Sequence, residues 1–130
     1  VLGELSVDQL HALADAAPAL LVTPWRTLVL PTPHDPAAVP RHLRDAGLVV
    51  DPHDPALHVS ACAGTPGCAN SLADVRAHAR SLIASGQDRQ VHVSGCARRC
   101  GAPHGPHADV VATGPLTYAI GPPDTTEEHR

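Results

Sequence analysis

Four cysteines, Cys62, Cys68, Cys96 and Cys100, are the only thiols in the chain. They fall in two close pairs, C-x5-C and C-x3-C, with 27 residues between them. Thiolates are soft ligands, and four of them suit either a tetrahedral zinc or an iron–sulfur cluster. Structural zinc sites mostly use pairs about two to four residues apart, which close a tight turn around one ion. A gap of five is loose for that turn and better sized for a cube whose irons sit at separate corners. The spacing therefore favours one 4Fe-4S cluster, with zinc as the alternative and free thiols or disulfides after both.

The neighbours of the cysteines point the same way. The first pair lies in Ser60-Ala61-Cys62-Ala63-Gly64-Thr65-Pro66-Gly67-Cys68-Ala69-Asn70, the second in Val93-Ser94-Gly95-Cys96-Ala97-Arg98-Arg99-Cys100-Gly101-Ala102-Pro103. Gly64, Gly67 and Gly95 are expected to take positive φ and let the backbone approach a bulky inorganic group. Small neighbours (Ala61, Ala63, Ala69 and Ala97) leave room for it and let amide hydrogens point at its sulfurs, which tunes a cluster's potential.

Taken together, these two runs resemble the cluster signature of the sirohaem-dependent nitrite and sulfite reductase family. Within it they are most similar to the precorrin-3B synthase branch of aerobic cobalamin biosynthesis. Upstream, Val22-Thr23-Pro24-Trp25-Arg26 looks like the family's second tetrapyrrole-side strand, and its Trp-Arg pair is more like that branch than the reductases. The resemblance covers roughly residues 4 to 120. It implies an α/β (α+β) chain: a ferredoxin-like half-domain over 1–52 and a sulfite-reductase-type 4Fe-4S/sirohaem domain over 53–121. The polar, Pro-rich composition of 122–130 reads as a disordered tail. The resemblance also implies an oxidoreductase, a monooxygenase that uses oxygen to convert precorrin-3A to precorrin-3B. The cofactors would be a 4Fe-4S cluster on the four cysteines and sirohaem or a mononuclear non-haem iron.

By the same resemblance Arg26 and Arg98 would bind tetrapyrrole carboxylates, which call for guanidinium partners. The partners would be a tetrapyrrole substrate or sirohaem, an electron donor, and the N-terminal half of the same enzyme, since members are built of two similar halves. The chain opens on Val1 and holds no methionine, so it reads as the second half of a longer protein, inactive alone. The alternatives are a sirohaem-dependent nitrite or sulfite reductase and a metal-binding fragment without catalysis. Four positions depart from the family pattern: Ala63 replaces a proline, Arg98 a lysine, Arg99 a glycine, and Leu21 an arginine.

The elements that must carry these residues can be read locally. Ser6 and Gln9 form a capping box for a first helix closed by Pro18, and Asp8 favours its positive end. Residues 19–30 read as one extended stretch bent at Thr23-Pro24. Asp35-Pro36 opens a second helix that Gly47 ends, and Leu48 to Val50 reads as a short strand. Asp51-Pro52-His53-Asp54-Pro55 is a turn between subdomains. Leu57 to Ala61 is a strand delivering Cys62, and Asn70 or Ser71 caps a third helix to about Ser85. Gln90 to Ser94 is a strand delivering Cys96, and Ala108–Ala112 with Leu116–Ile120 forms a hairpin.

Composition sets the outer limits. At 43% hydrophobic residues the chain is globular in character, yet it has one tryptophan, one tyrosine and no phenylalanine, so its core has little aromatic area. A net charge of −4 without a basic run argues against a nucleic-acid partner. No apolar run approaches the roughly 20 residues of a membrane helix, and no signal peptide is visible. Paired cysteines without such a signal read as metal ligands in a reducing cytoplasm. His104 and His107 read as solvated loop histidines before metal ligands, and Asp74 and Asp109 have no partner at acid–base spacing. Trp25 reads equally as a core residue or a stacking partner for a macrocycle.

Overall fold

A computed structural model describes residues 2–123 and shows a mixed α/β protein. It forms two compact units, one of Gly3–Asp54 and one of Leu2 with the chain from Pro55 onward.

In the first unit, helix α1 (Val7–Ala16) starts where its capping box dictates. Ser6 Oγ accepts from the Gln9 amide at 3.1 Å, and Gln9 Oε1 accepts from the Ser6 amide at 3.0 Å. Ala12, Leu13 and Ala16 recur at helical spacing and bury against Leu43 of α2 (Val39–Asp45). His42 Nε2 reaches the Ala12 carbonyl at 3.2 Å across that contact. Helix α2 ends in a Schellman motif: Gly47, at φ +78°, donates to Arg44, and Leu48 donates to Leu43. It begins one turn later than expected. Asp35 spends its carboxylate on the amides of Ala37 and Ala38, at 3.0 and 3.3 Å, so Asp35 and Pro36 form a turn before the helix.

Two extended segments also differ from expectation. Residues 19–30 are not one strand. They fold back as an antiparallel hairpin, β1 (Leu21–Val22) on β2 (Leu28–Val29), with Leu21 opposite Val29. The turn is closed by the Arg26 amide on the Thr23 carbonyl at 3.3 Å, with Arg26 itself at φ +59°, an arrangement common in three-residue hairpin loops. Thr23 and Thr27 hydroxyls meet at 2.6 Å across its neck. Leu48 to Val50 joins neither sheet; Leu48 and Val50 instead lean half-buried on the α1–α2 core.

The second unit is a sheet of order β3-β4-β5-β6, made of Val59–Ala61, Val91–Ser94, Ala108–Ala112 and Tyr118–Pro123. The first three strands are parallel and β6 returns antiparallel. Strand β6 runs two residues into the segment expected as tail; the rest of that tail, 124–130, lies outside the described residues. Helix α3 (Val75–Ala84) joins β3 to β4 and buries Val75 and Ala79 on Val59, Ala61, Val91, Val93, Val110 and Ala112. It is capped by Asp74, whose carboxylate accepts from Ala77 at 3.0 Å, not by Asn70 or Ser71. Ser71 is held elsewhere, its hydroxyl on the Ala73 carbonyl at 2.8 Å.

All four residues of β4 are buried, as befits a central parallel strand covered on both faces. Alternation puts Val91 and Val93 toward α3 and His92 and Ser94 on the other face. The register then aligns Ser60, His92 and Asp109 across three adjacent strands, a polar row on the face away from α3.

Candidate metal centre

Both cysteine pairs leave the carboxyl ends of adjacent parallel strands, the edge where open α/β sheets build their sites. Cys62 follows β3 directly, and its amide bonds the Val93 carbonyl at 3.0 Å, continuing the ladder. Its sulfur accepts from the Gly95 amide at 3.3 Å. Leu72, from the segment after Cys68, donates to the Gly95 carbonyl at 2.9 Å. Gly95 thus ties the first cysteine loop to the strand end that carries the second.

Glycine is required at two of these positions for different reasons. Gly64 sits at φ +67°, and a Cβ there would lie 2.8 Å from Val75 Cγ2, so the loop closes directly on the start of α3. A Cβ on Gly95 would overlap Ser71 Oγ and lie 2.7 Å from Ser71 Cβ. Gly95 is therefore small for packing, without the positive φ expected of it. Gly67 has neither constraint: its φ is not positive and a Cβ would meet only ordinary contacts. The Thr65-Pro66 bond between the first two cysteines is cis.

All four cysteines are free thiols; Cys62, Cys68 and Cys96 are half-buried and Cys100 is exposed. Among the described residues, no three His, Cys, Asp or Glu side chains converge tightly enough to hold one ion. The donors on offer are four sulfurs among small residues, with an amide already on one of them, and thiolates of this kind suit zinc or an iron–sulfur cluster.

Arg98 is exposed in the second loop. Arg99 has taken φ +47°, keeping the left-handed backbone that a glycine would supply, and has swung its side chain out to Asp109. Its Nη1 meets Asp109 Oδ2 at 2.6 Å, so Asp109 does have a partner. His107 is not a solvated loop residue. It is 6% exposed, its Nδ1 lies 2.8 Å from the Gly105 carbonyl, and its Nε2 lies 3.6 Å from Asp109 Oδ1. His104, by contrast, is exposed. His107 stands edge-on to His92, ring centres 6.2 Å apart, and His92 Nδ1 meets Ser60 Oγ at 2.8 Å. This buried polar group went unread in the sequence. Its signal was the alternation in Val91-His92-Val93-Ser94 and Ala108-Asp109-Val110, which sets polar residues at regular intervals inside apolar strands.

Arg26 stands in the hairpin turn of the first unit and is exposed, as is Leu21, where the family pattern has an arginine. Trp25 beside it is 79% exposed and so is no part of a core. No protein-family model matches the chain, and no curated protein is significantly similar to it. No helix among the described residues is long and apolar enough to cross a membrane.

Proposed function

We propose that the second unit binds one 4Fe-4S cluster through Cys62, Cys68, Cys96 and Cys100, as the electron-transfer part of an oxidoreductase. The observation that carries this reading is the pairing of two cysteine loops at the ends of adjacent parallel strands, bridged by the Gly95 amide on Cys62 Sγ at 3.3 Å. A bound cluster supplies one-electron transfer, at a potential set by such amides and by solvent exposure. The chain's own share is to hold four thiolates, aim an amide at one, and leave Cys100 on the surface.

The motif residues further support a precorrin-3B synthase-like enzyme, made of a ferredoxin-like half-domain and a sulfite-reductase-type domain and working in the cytoplasm. In that reading the exposed guanidinium groups of Arg26 and Arg98 bind the carboxylates of a tetrapyrrole, and an N-terminal half completes the pocket. A mononuclear iron would be its second cofactor, and sirohaem that of the nitrite or sulfite reductase reading. Anaerobic reconstitution with iron and sulfide tests the centre: acid-labile sulfide equal to iron is expected, and stoichiometric zinc without sulfide overturns it. Sirohaem that stays with the protein through gel filtration, read by its absorption bands, would instead select the nitrite or sulfite reductase reading.

A further inference from the structure

The β4–β5 connection, residues 95–107, carries Cys96 and Cys100 without a helix to stiffen it. Within it Arg99 bonds the Cys96 carbonyl at 3.3 Å, Ala102 bonds the Arg99 carbonyl at 3.1 Å, and His107 Nδ1 lies 2.8 Å from the Gly105 carbonyl. Two of its side chains nevertheless converge on one buried carboxylate. Arg99, from the turn between the cysteines, bonds Asp109 Oδ2, and His107, from the end of the connection, faces Asp109 Oδ1.

We propose that Asp109 is the positioning residue for the second cysteine pair, a clamp that holds Arg99 on one carboxylate oxygen and faces His107 with the other. Three features of the fold prepare Asp109 for this. It is only 7% exposed, so its carboxylate depends on the partners the protein supplies, although the Arg99 side chain itself stays 52% exposed. It lies at a β-bulge, where the β5–β6 register slips and Asp109 alone stands opposite Gly121 and Pro122; bulges re-aim side chains beside sites. Its partner Arg99 holds an uncommon left-handed backbone, φ +47°, which the ion pair helps to retain.

The His107 end follows from hydrogen-bond chemistry. A carbonyl only accepts, so Nδ1 carries the hydrogen toward Gly105. In the neutral ring Nε2 then turns a lone pair toward the carboxylate 3.6 Å away, and neither atom has a hydrogen-bond partner. In the imidazolium Nε2 carries a hydrogen and the two attract. The groups around His107 are Asp109 on β5, His92 on β4 with Ser60 of β3 on its Nδ1, and Arg99 through Asp109.

The inference rests on the proposed metal centre only in treating Cys96 and Cys100 as ligands, so it is tested on the metal-free chain. Iodoacetamide labelling, mapped by peptide mass, gives the rate at Cys96 and Cys100 relative to Cys62 and Cys68 in the same molecule. Asp109→Asn should raise that ratio about three-fold or more, by freeing the connection locally. Arg99→Lys, which keeps the charge but not the fork, should fall between. His107→Gln should raise the ratio less than Asp109→Asn does, since its approach to the carboxylate is the longer one.

An Asp109→Asn ratio equal to wild type, or all four cysteines speeding up together, overturns the proposal. Should Asp109→Asn fail to fold by circular dichroism, Arg99→Lys decides: a ratio equal to wild type overturns it. Iron and sulfide uptake is measured separately, so a wild type that takes no cluster defeats the metal reading while the labelling ratio still reads the clamp.

Discussion

The Gly95 amide points at Cys62 Sγ from 3.3 Å, although the two residues lie 33 positions apart. The parallel ladder brings them together: Ala61 is in register with Val93, and each chain then continues into its cysteine loop. The Cys62 sulfur is thus already bonded by the backbone of the loop bearing Cys96 and Cys100. The same glycine fits under Ser71 with no room for a methyl group.

Gly95→Ala is expected to destabilise the second unit by about 1–3 kcal/mol, the usual cost of overpacking. Urea denaturation measures it. Adding Ser71→Gly should recover part of the loss, because the clash is mainly with the Ser71 side chain. A single variant as stable as wild type would mean that the Ser71 segment gives way freely.

Cys96→Ser should lower the iron content after reconstitution and also the thermal midpoint of the holoprotein. Metal binding is folding free energy when ligands come from separate segments, here loops joined across α3 and the core. An unchanged melting curve would show that the protein part stands without help from the cluster.

Arg26→Ala and Arg98→Ala should leave folding stability within about 0.5 kcal/mol, since both side chains are exposed. In a parent protein that contains both halves, each should weaken tetrapyrrole binding by about ten-fold or more. Cluster absorption should persist. Equal binding by variants and parent would remove both arginines from the pocket.

Tyr118 gives a pH dependence of known sign. Burial, and secondarily the Asp74 carboxylate, raise its phenol above the ordinary value of 10.0. A folded-state pKa above the unfolded one means the stabilisation is complete below pH 10.0 and is lost as pH rises through the folded value. Denaturation curves on either side of this window should show the loss, and Tyr118→Phe should abolish it. Tyr118 is the only tyrosine, so phenolate absorbance titrates it directly.

Where a signal was local, the sequence was legible. Ser6 and Gln9 cap each other, Gly47 ends α2, and the strands end at the cysteines they deliver. What was missed depends on partners distant in the chain. The fold-back at 23–27 needs Arg26 in a backbone region that residues other than glycine visit seldom. Leu48 to Val50 looks like a strand but has no edge to join. Asp74 caps α3 because Ser71 is occupied under Gly95, a contact made 24 residues away. The Asp109 cluster becomes visible only once three strands are in register.

The hairpin turn also carries its own optical probe. Trp25 is the only tryptophan and stands 79% exposed at the end of the first unit's hairpin, while the only tyrosine belongs to the second unit. Indole emission therefore reports on one unit and phenol absorbance on the other, with no label attached. Any molecule that settles over the turn must dehydrate the indole and move its emission to shorter wavelength. A titration followed by that shift would find the binder of this hairpin even when the cluster is absent.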